Sequence, residues 1–193
     1  HILLGRYLAD QMSEVYSLQQ HRKAFCLGNI MPDLRPSFLT TRHEFFGTFS
    51  QLQEKMRELI ERNPEEDNAR VYWRRFGEVM HYMADYFTFP HNRTYKGSLA
   101  EHNSYEAELK NCLKECILSG NADSQLEEAK HFDSFEELVG YIRERHACYL
   151  ESPRCIADDI RFILRVCYQV IQGIFQLCLR RQFHMEGRPV TAI

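Results

Sequence analysis

The chain has 193 residues, of which 44% are hydrophobic, and its formal net charge is −3. A chain of this length and composition can bury a sizeable core. The charge is nearly balanced and contains no block of like charges, which excludes a basic nucleic-acid-binding tail and a polybasic membrane patch. No run of roughly 18 apolar residues occurs, so no membrane-spanning helix is expected.

Apolar residues recur at spacings of three and four along almost the whole chain, and no period-two stretch competes. This pattern predicts an all-α, multi-helix bundle. No repeat or linker divides the sequence, so residues 1–193 are predicted to form a single domain. In chain order, helices are predicted over roughly 1–18, 20–29, 43–62, 64–88, 98–118, 134–151 and 153–181.

Short local signals mark several helix boundaries. Ser98 and Ser134 are each followed three residues later by a glutamate, the spacing of a capping box. Asn63 is predicted to be the N-cap of a helix, because the next residue, Pro64, suits the first helical position. The last predicted helix is apolar on most faces, which places it at the centre of the bundle. Gly77, inside a predicted helix, indicates the close approach of another helix.

The seven cysteines bear on the cellular compartment of the protein rather than on a metal or catalytic site. Their odd number, and the position of most of them in apolar helical stretches, favours reduced thiols over a disulfide framework. No secretory signal is visible, although the chain as given begins at His1 rather than at a methionine. The expectation is therefore a cytoplasmic protein.

Two predicted helices carry a histidine followed four residues later by an acid, His81 with Asp85 and His102 with Glu106. This spacing puts both side chains on one helix face, and zinc accepts imidazole nitrogen and carboxylate oxygen. With nine histidines and 27 acidic residues in the chain, chance alone explains two such pairs. Their setting is less easily explained by chance, because the pairs are close together in the chain with His91 between them.

The alternative is a buried histidine hydrogen-bonded to a buried aspartate. Asp85 lies among large apolar residues, where a carboxylate is costly to bury unless a hydrogen-bonded partner or a metal neutralises it. Spacing alone does not decide between these interpretations. The histidines that lack partners at ligand spacing are expected at the surface or in capping roles; they are His21, His131, His146 and His184.

The ligand-type residues resemble the signature of the zinc-dependent phospholipase C family. The order His81-x3-Asp85-x5-His91-x10-His102-x3-Glu106 is similar to its central motif. Upstream, Gly28-Asn29-Ile30-Met31-Pro32-Asp33 resembles the family's Gly-x-x-x-Pro-Asp segment. His43 and His1 resemble two further metal histidines. The resemblance covers residues 1–106 and implies a zinc cluster inside a helical bundle.

The resemblance also implies how the ligands are shared. One zinc would be held by His91, His102 and Glu106, and a second by Asp33, His43, His81 and Asp85. The family's third zinc uses its first histidine, here His1, a bridging Asp85 and an N-terminal tryptophan. The only tryptophan of this chain is Trp73, inside a predicted helix. Two Zn²⁺ ions are therefore expected, and the third site is left open.

The implied activity is hydrolysis of a phosphodiester, such as a phospholipid, by a metal-activated water. Asp33 would be a metal ligand and is the candidate general base; the alternative is a metal-bound hydroxide that needs no separate base. The aromatic residues that enclose choline in phosphatidylcholine-cleaving members are replaced by Leu34 and Thr40, so a choline preference is not implied. Transient membrane contact would accompany a lipid substrate, and no stable nucleic-acid partner is expected.

Two alternative functions stay open. The single-strand-specific zinc nucleases share a related helical architecture, but their last pair is typically His-x-x-x-Asp, where this chain has Glu106. The second alternative is a helical metal-binding protein that keeps the ligands and has no catalytic activity.

Overall fold

A computed structural model describes residues 1–34, 44–62, 68–153 and 155–185. Every regular element in these ranges is helical, which confirms the predicted all-α class. The α-helices are α1 (Ile2–Gln11), α2 (Tyr16–Gln20), α3 (Arg22–Gly28), α4 (Phe45–Glu61), α5 (Ala69–Tyr86), α6 (Leu99–Leu118), α7 (Asn121–Gln125), α8 (Phe135–Glu151) and α9 (Ile156–Met185). A short 3-10 turn, Phe89–His91, follows α5.

The N-terminal region differs from the sequence prediction, because the predicted first helix is two helices. Helix α1 ends at Gln11, and the chain turns before α2 begins at Tyr16. The side chain of Gln19 donates to the carbonyl oxygens of Ala9 and Met12, at 2.8 and 3.1 Å. These bonds satisfy carbonyl groups that the end of α1 leaves without helical partners, and so they stabilise the break.

Other boundaries also differ from the predicted ones. The predicted cap Asn63 lies outside the described residues, and α5 begins instead after Asn68, whose side chain accepts a hydrogen bond from the backbone N–H of Val71. The predicted polar loop after α6 contains the short helix α7. Gly120 permits that turn because it adopts a left-handed φ of 76°, which glycine tolerates without steric cost.

The predicted capping boxes are present to different degrees. Ser98 and Glu101 form both reciprocal hydrogen bonds of the box. The Ser134 side chain accepts from the backbone N–H of Glu137, but the Glu137 carboxylate accepts from the N–H of Asp133 instead, at 2.9 Å. Both serines therefore satisfy an N–H in the first turn of a helix.

Helix α9 lies at the centre of the bundle, as its apolar composition predicts. It contacts α1, α4, α5, α6, α7 and α8. By length and composition alone, its segment from Ile156 to His184 could cross a membrane, but most of its apolar window is buried inside the protein. Its apolar side chains therefore fill the core between the other helices.

Helices α3 and α5 approach each other closely at two glycines, as Gly77 predicts. A Cβ atom on Gly77 would overlap the carbonyl oxygen of Phe25, and one on Gly28 would overlap the carbonyl oxygen of Arg74. The backbones can approach this closely only because neither residue carries a side chain. This contact holds Asn29, at the end of α3, against the buried face of α5.

Candidate metal centre

The structure brings seven of the eight predicted ligands into one cluster. His43 lies outside the described residues. The clustered side chains come from the N-terminus, the turn after α3, helix α5, the 3-10 turn and α6. They are His1, Asp33, His81, Asp85, His91, His102 and Glu106.

One group of ligand-type atoms lies between the 3-10 turn and α6. The Nε2 atoms of His91 and His102 each lie 2.9 Å from Oε1 of Glu106. One ligand atom from each of the three residues lies within 4.8 Å of the other two. Such a set of two imidazoles and a carboxylate matches the three-protein-ligand sites in which zinc keeps an open position.

A second group contains His1, Asp33 and His81, whose ligand atoms also lie within 4.8 Å of one another. Nε2 of His81 is 3.4 Å from Oδ1 of Asp33 and 3.1 Å from Oδ2 of Asp85. The rings of His1 and His81 are in contact, with centroids 3.9 Å apart. These side chains converge although their residues are far apart in the chain.

The carboxylate of Asp85 lies between the two groups. Its Oδ1 atom is 3.2 Å from Nε2 of His1 and 3.9 Å from Nε2 of His91, whereas Oδ2 faces His81. The side chain is 2% exposed. Asp85 therefore has the position required of a carboxylate that bridges neighbouring cations.

Opposite charges stabilise the ionised forms of the acids. Burial alone would raise the pKa of Asp85, but His81, His91 and His1 lower it well below its usual range. Burial also tends to raise the pKa of Glu106, yet hydrogen bonds from His91 and His102 lower it. Both acids therefore carry the negative charge that metal ligation requires.

Nearby carboxylates favour the protonated forms of two of the histidines, His91 and His1. Burial lowers the pKa of His91, but the carboxylates of Asp85 and Glu106 outweigh burial and raise it to about 9. Burial likewise lowers the pKa of His1, and its interactions with Asp85 and Asp33 raise it overall. A cation that binds here must displace these protons, because imidazole ligates metal in its neutral form.

His81 is oriented by a residue that the sequence analysis did not identify as functional. Its Nδ1 atom lies 2.9 Å from the carbonyl oxygen of Asn29. A carbonyl oxygen only accepts, so Nδ1 carries the proton and Nε2 faces the two carboxylates. Such an outer hydrogen bond fixes the tautomer of a metal-ligating histidine. The glycine contact between α3 and α5 brings Asn29 to this position.

His91 is held by the hydrogen bonds of its neighbour, Asn92. The side-chain Nδ2 of Asn92 donates to the carbonyl oxygen of Thr88 at 2.9 Å. This bond closes the turn that carries His91. The Nε2 atom of His146 lies 3.3 Å from Oδ1 of Asn92. Since this oxygen can only accept, His146 donates.

The predicted surface or capping role of His146 is therefore wrong. The residue is 2% exposed, and its ring stacks on Phe45 with a centroid separation of 3.9 Å. Burial lowers the pKa of His146 to about 4, so its imidazole is neutral at neutral pH. The sequence prediction failed because His146 is buried by residues that are distant in the chain.

Asp159, at the start of α9, joins the elements that carry the first group. Its carboxylate accepts hydrogen bonds from Tyr105 of α6 at 2.8 Å and from the N–H of Phe89 in the 3-10 turn at 2.9 Å. Tyr149 of α8 donates to it at 2.6 Å. In the sequence, Asp159 reads only as an acid in the first turn of a helix, a common stabilising position.

A cavity of about 510 Å³ opens beside the cluster. It is lined in part by five of the clustered residues, which are His1, Asp33, Asp85, His91 and Glu106. The side chains of Asp33 and Glu106 are 38% and 43% exposed, so the cavity connects the cluster with solvent. The donor set suits zinc, and a small molecule can reach it.

Comparison with known families agrees with this geometry. A family model described as zinc-dependent phospholipase C matches residues 1–156, a range that contains all eight predicted ligands. Comparisons with curated proteins and with solved structures gave no match. The family match covers well over half of the 193 residues. On this basis, the chain belongs to the zinc-dependent phospholipase C family.

Proposed function

We propose that this protein hydrolyses a phosphodiester, in the manner of a phospholipase C, with zinc as its cofactor. The observation that carries the proposal is the position of the Asp85 carboxylate, which lies within 3.9 Å of histidines from both ligand groups. Two cation sites that share a carboxylate suit an in-line displacement at phosphorus, because attacking and leaving oxygens both need charge stabilisation.

The proposed ligand sets follow the two groups. His91, His102 and Glu106 would hold one zinc. Asp33, His81 and Asp85 would hold a second, with His43 as the further predicted ligand. A count of three zinc ions per chain, rather than two, would place the third at His1 and Asp85, whose side chains lie 3.2 Å apart. When bound, zinc supplies a Lewis acid that activates water and neutralises charge on phosphoryl oxygens.

The residues of the chain contribute orientation and proton transfer. Asn29 fixes the His81 ring, and the glycine contact of α3 and α5 fixes Asn29. Asp33 lies at the cavity with its carboxylate partly exposed, where it can accept a proton from an attacking water. We therefore assign Asp33 the role of general base in addition to that of ligand.

Metal analysis of protein purified without chelators tests the cofactor directly. Two to three zinc ions per chain would support the cluster, and protein without zinc would refute it. Hydrolysis is then compared between a short-chain phospholipid, bis-p-nitrophenyl phosphate and single-stranded DNA. Preference for DNA would favour the nuclease alternative. Bound zinc with no turnover of any diester would indicate a metal-binding protein without catalytic activity.

The substitution Asp85→Asn tests the proposed role of the carboxylate that lies between the two ligand groups. It removes the negative charge between the two groups, and we expect loss of zinc and of hydrolysis. Asp10→Asn is the matched control, since Asp10 pairs with Arg22 at the surface. An Asp85→Asn protein with full zinc content and wild-type turnover would overturn the assignment.

A further inference from the structure

The cavity beside the metal cluster continues along one face of α6. Its lining includes Asn103, Glu106, Lys110 and Leu113, which follow one another at helical spacing. Glu106 is a candidate ligand, and Lys110 lies one turn beyond it. Side chains four residues apart on a helix have Cβ atoms about 5–6 Å apart. A molecule bound through its phosphate near Glu106 can therefore place its next group beside Lys110.

The described residues that line the cavity are unsuited to a quaternary ammonium group. Much of the lining is aliphatic, contributed by Leu3, Leu4, Leu109, Leu113 and Ile163. Among the described residues that line it, there is no phenylalanine, tyrosine or tryptophan ring. Choline recognition depends on such rings, because their faces attract the cation.

Lys110 is the one basic side chain among the described residues of this lining, apart from the clustered histidines. The acid at its helical pairing distance is Glu106, whose carboxylate is already bonded to His91 and His102. Within the described part of the chain, the Lys110 ammonium forms no ion pair. It is therefore available to a ligand.

The charges of the lining favour an anion at Lys110. The carboxylates that line the cavity are Asp33, Asp85 and Glu106, all candidate ligands. Bound zinc would neutralise these three acids, and Lys110 would then add a further positive charge. An ammonium group in the substrate would be repelled, whereas a second phosphate or a carboxylate would form a charge-assisted hydrogen bond.

We propose that Lys110 determines the headgroup specificity of this protein and selects phosphodiesters whose headgroup carries a further anionic group. The inference rests on the proposed function. The reacting phosphate lies at the metal ligands, the headgroup anion meets Lys110 one helical turn away, and the aliphatic walls contact the carbon skeleton of the substrate.

The test uses zinc-loaded protein and soluble dihexanoyl lipids with graded headgroup charge. Phosphatidylcholine, phosphatidylglycerol and phosphatidylglycerol phosphate have cationic, neutral and anionic headgroups. We expect kcat/KM to rise along this series, by about tenfold or more between the ends, as a hydrogen bond to a charged group implies. The gain is expected mainly in KM, because Lys110 contacts a group that does not react.

The substitution Lys110→Met should remove about tenfold from kcat/KM for phosphatidylglycerol phosphate, again through KM. Lys114→Met is the matched control, since Lys114 is exposed one turn further along α6 and is absent from the cavity lining. Calorimetric binding of glycerol bisphosphate, the released headgroup, gives a readout without turnover. It should weaken in the Lys110→Met protein only.

Three results would overturn the inference. A preference for phosphatidylcholine would show that the cavity accepts a cation. Equal losses in the Lys110→Met protein for all lipids and for bis-p-nitrophenyl phosphate, which has no headgroup, would place Lys110 at the reacting phosphate. Glycerol bisphosphate binding unaffected by the substitution would also refute it. Wild-type protein inactive even toward bis-p-nitrophenyl phosphate would instead count against the proposed function.

Discussion

The hydroxyl of Tyr105 donates a 2.8 Å hydrogen bond to Oδ2 of Asp159, and so ties helix α6, which carries two candidate ligands, to the central helix α9. Tyr105 is the neighbour of the candidate ligand Glu106. Oδ1 of the same carboxylate accepts from Tyr149 of α8, a helix that carries none of the candidate ligands. Tyr105 and Tyr149 thus bond to the two oxygens of one carboxylate, and only Tyr105 belongs to a helix that carries candidate ligands.

This difference predicts different effects of removing the two hydroxyls. Tyr105→Phe should lower zinc affinity by up to about tenfold, because outer partners of a metal site orient its ligands. Tyr149→Phe should leave zinc affinity unchanged. Each should reduce the free energy of unfolding by about 1–3 kcal/mol, since each removes a hydrogen bond to a buried carboxylate. Competition with a chelator measures the affinity, and urea unfolding measures the stability. Equal zinc affinities in the two variants would contradict the prediction.

The glycine contact between α3 and α5 predicts a second pair of variants. Gly77→Ala introduces a Cβ that overlaps the backbone of α3, and we expect a loss of about 1–3 kcal/mol in unfolding free energy from overpacking. Separation of the helices would also move Asn29 away from His81 and weaken zinc binding.

Gly140→Ala is the control, because a Cβ at this exposed position of α8 meets no atom within 4 Å. It should stabilise the protein by about 0.5–1 kcal/mol, since alanine favours the helix. Thermal unfolding with and without zinc measures both effects. A Gly77→Ala protein as stable as wild type would show that α3 and α5 can separate without cost.

Buried His146 predicts a pH-dependent stability. Its pKa is about 4 in the folded protein and near the ordinary 6.5 when unfolded. Between pH 4 and pH 6.5, His146 therefore binds a proton in the unfolded state but not in the folded state. The contribution of His146 to the free energy of unfolding is therefore greatest above pH 6.5. It decreases as the pH falls toward 4, by up to about 3 kcal/mol.

Comparison with His146→Leu isolates this contribution from those of other groups. Urea unfolding of chelator-treated protein at several pH values should show a steeper loss of stability in acid for the wild type than for the variant. Parallel curves between pH 6.5 and 4 would contradict the low pKa of His146.

The raised pKa of His91 predicts that zinc binding releases protons. The imidazole is protonated below pH 9 in the metal-free cluster and must be neutral to ligate zinc. Zinc affinity should therefore fall as the pH decreases from 9 to 7, and binding near neutral pH should release about one proton from this group. Calorimetry in buffers of different ionisation enthalpy counts the released protons. If zinc binding released as many protons above pH 9 as at pH 7, the raised pKa of His91 would be contradicted.

The sequence by itself predicts the all-α class, the types of the ligands and their order along the chain. These features depend on neighbours in the chain: the apolar period, the serine caps and the four-residue spacing of His81 with Asp85. Local signals failed where a distant side chain intervened, as when Gln19 folds back onto the end of α1.

Only the tertiary structure decided what surrounds the ligands. Asn29 orients His81 because two glycines let α3 and α5 meet, and Asp159 reaches Tyr105 because α9 passes behind α6. His146 is neutral and buried although its own sequence surroundings are polar. A helix pattern depends on contacts within a few residues, whereas the environment of a buried polar group depends on whichever distant segments fold against it.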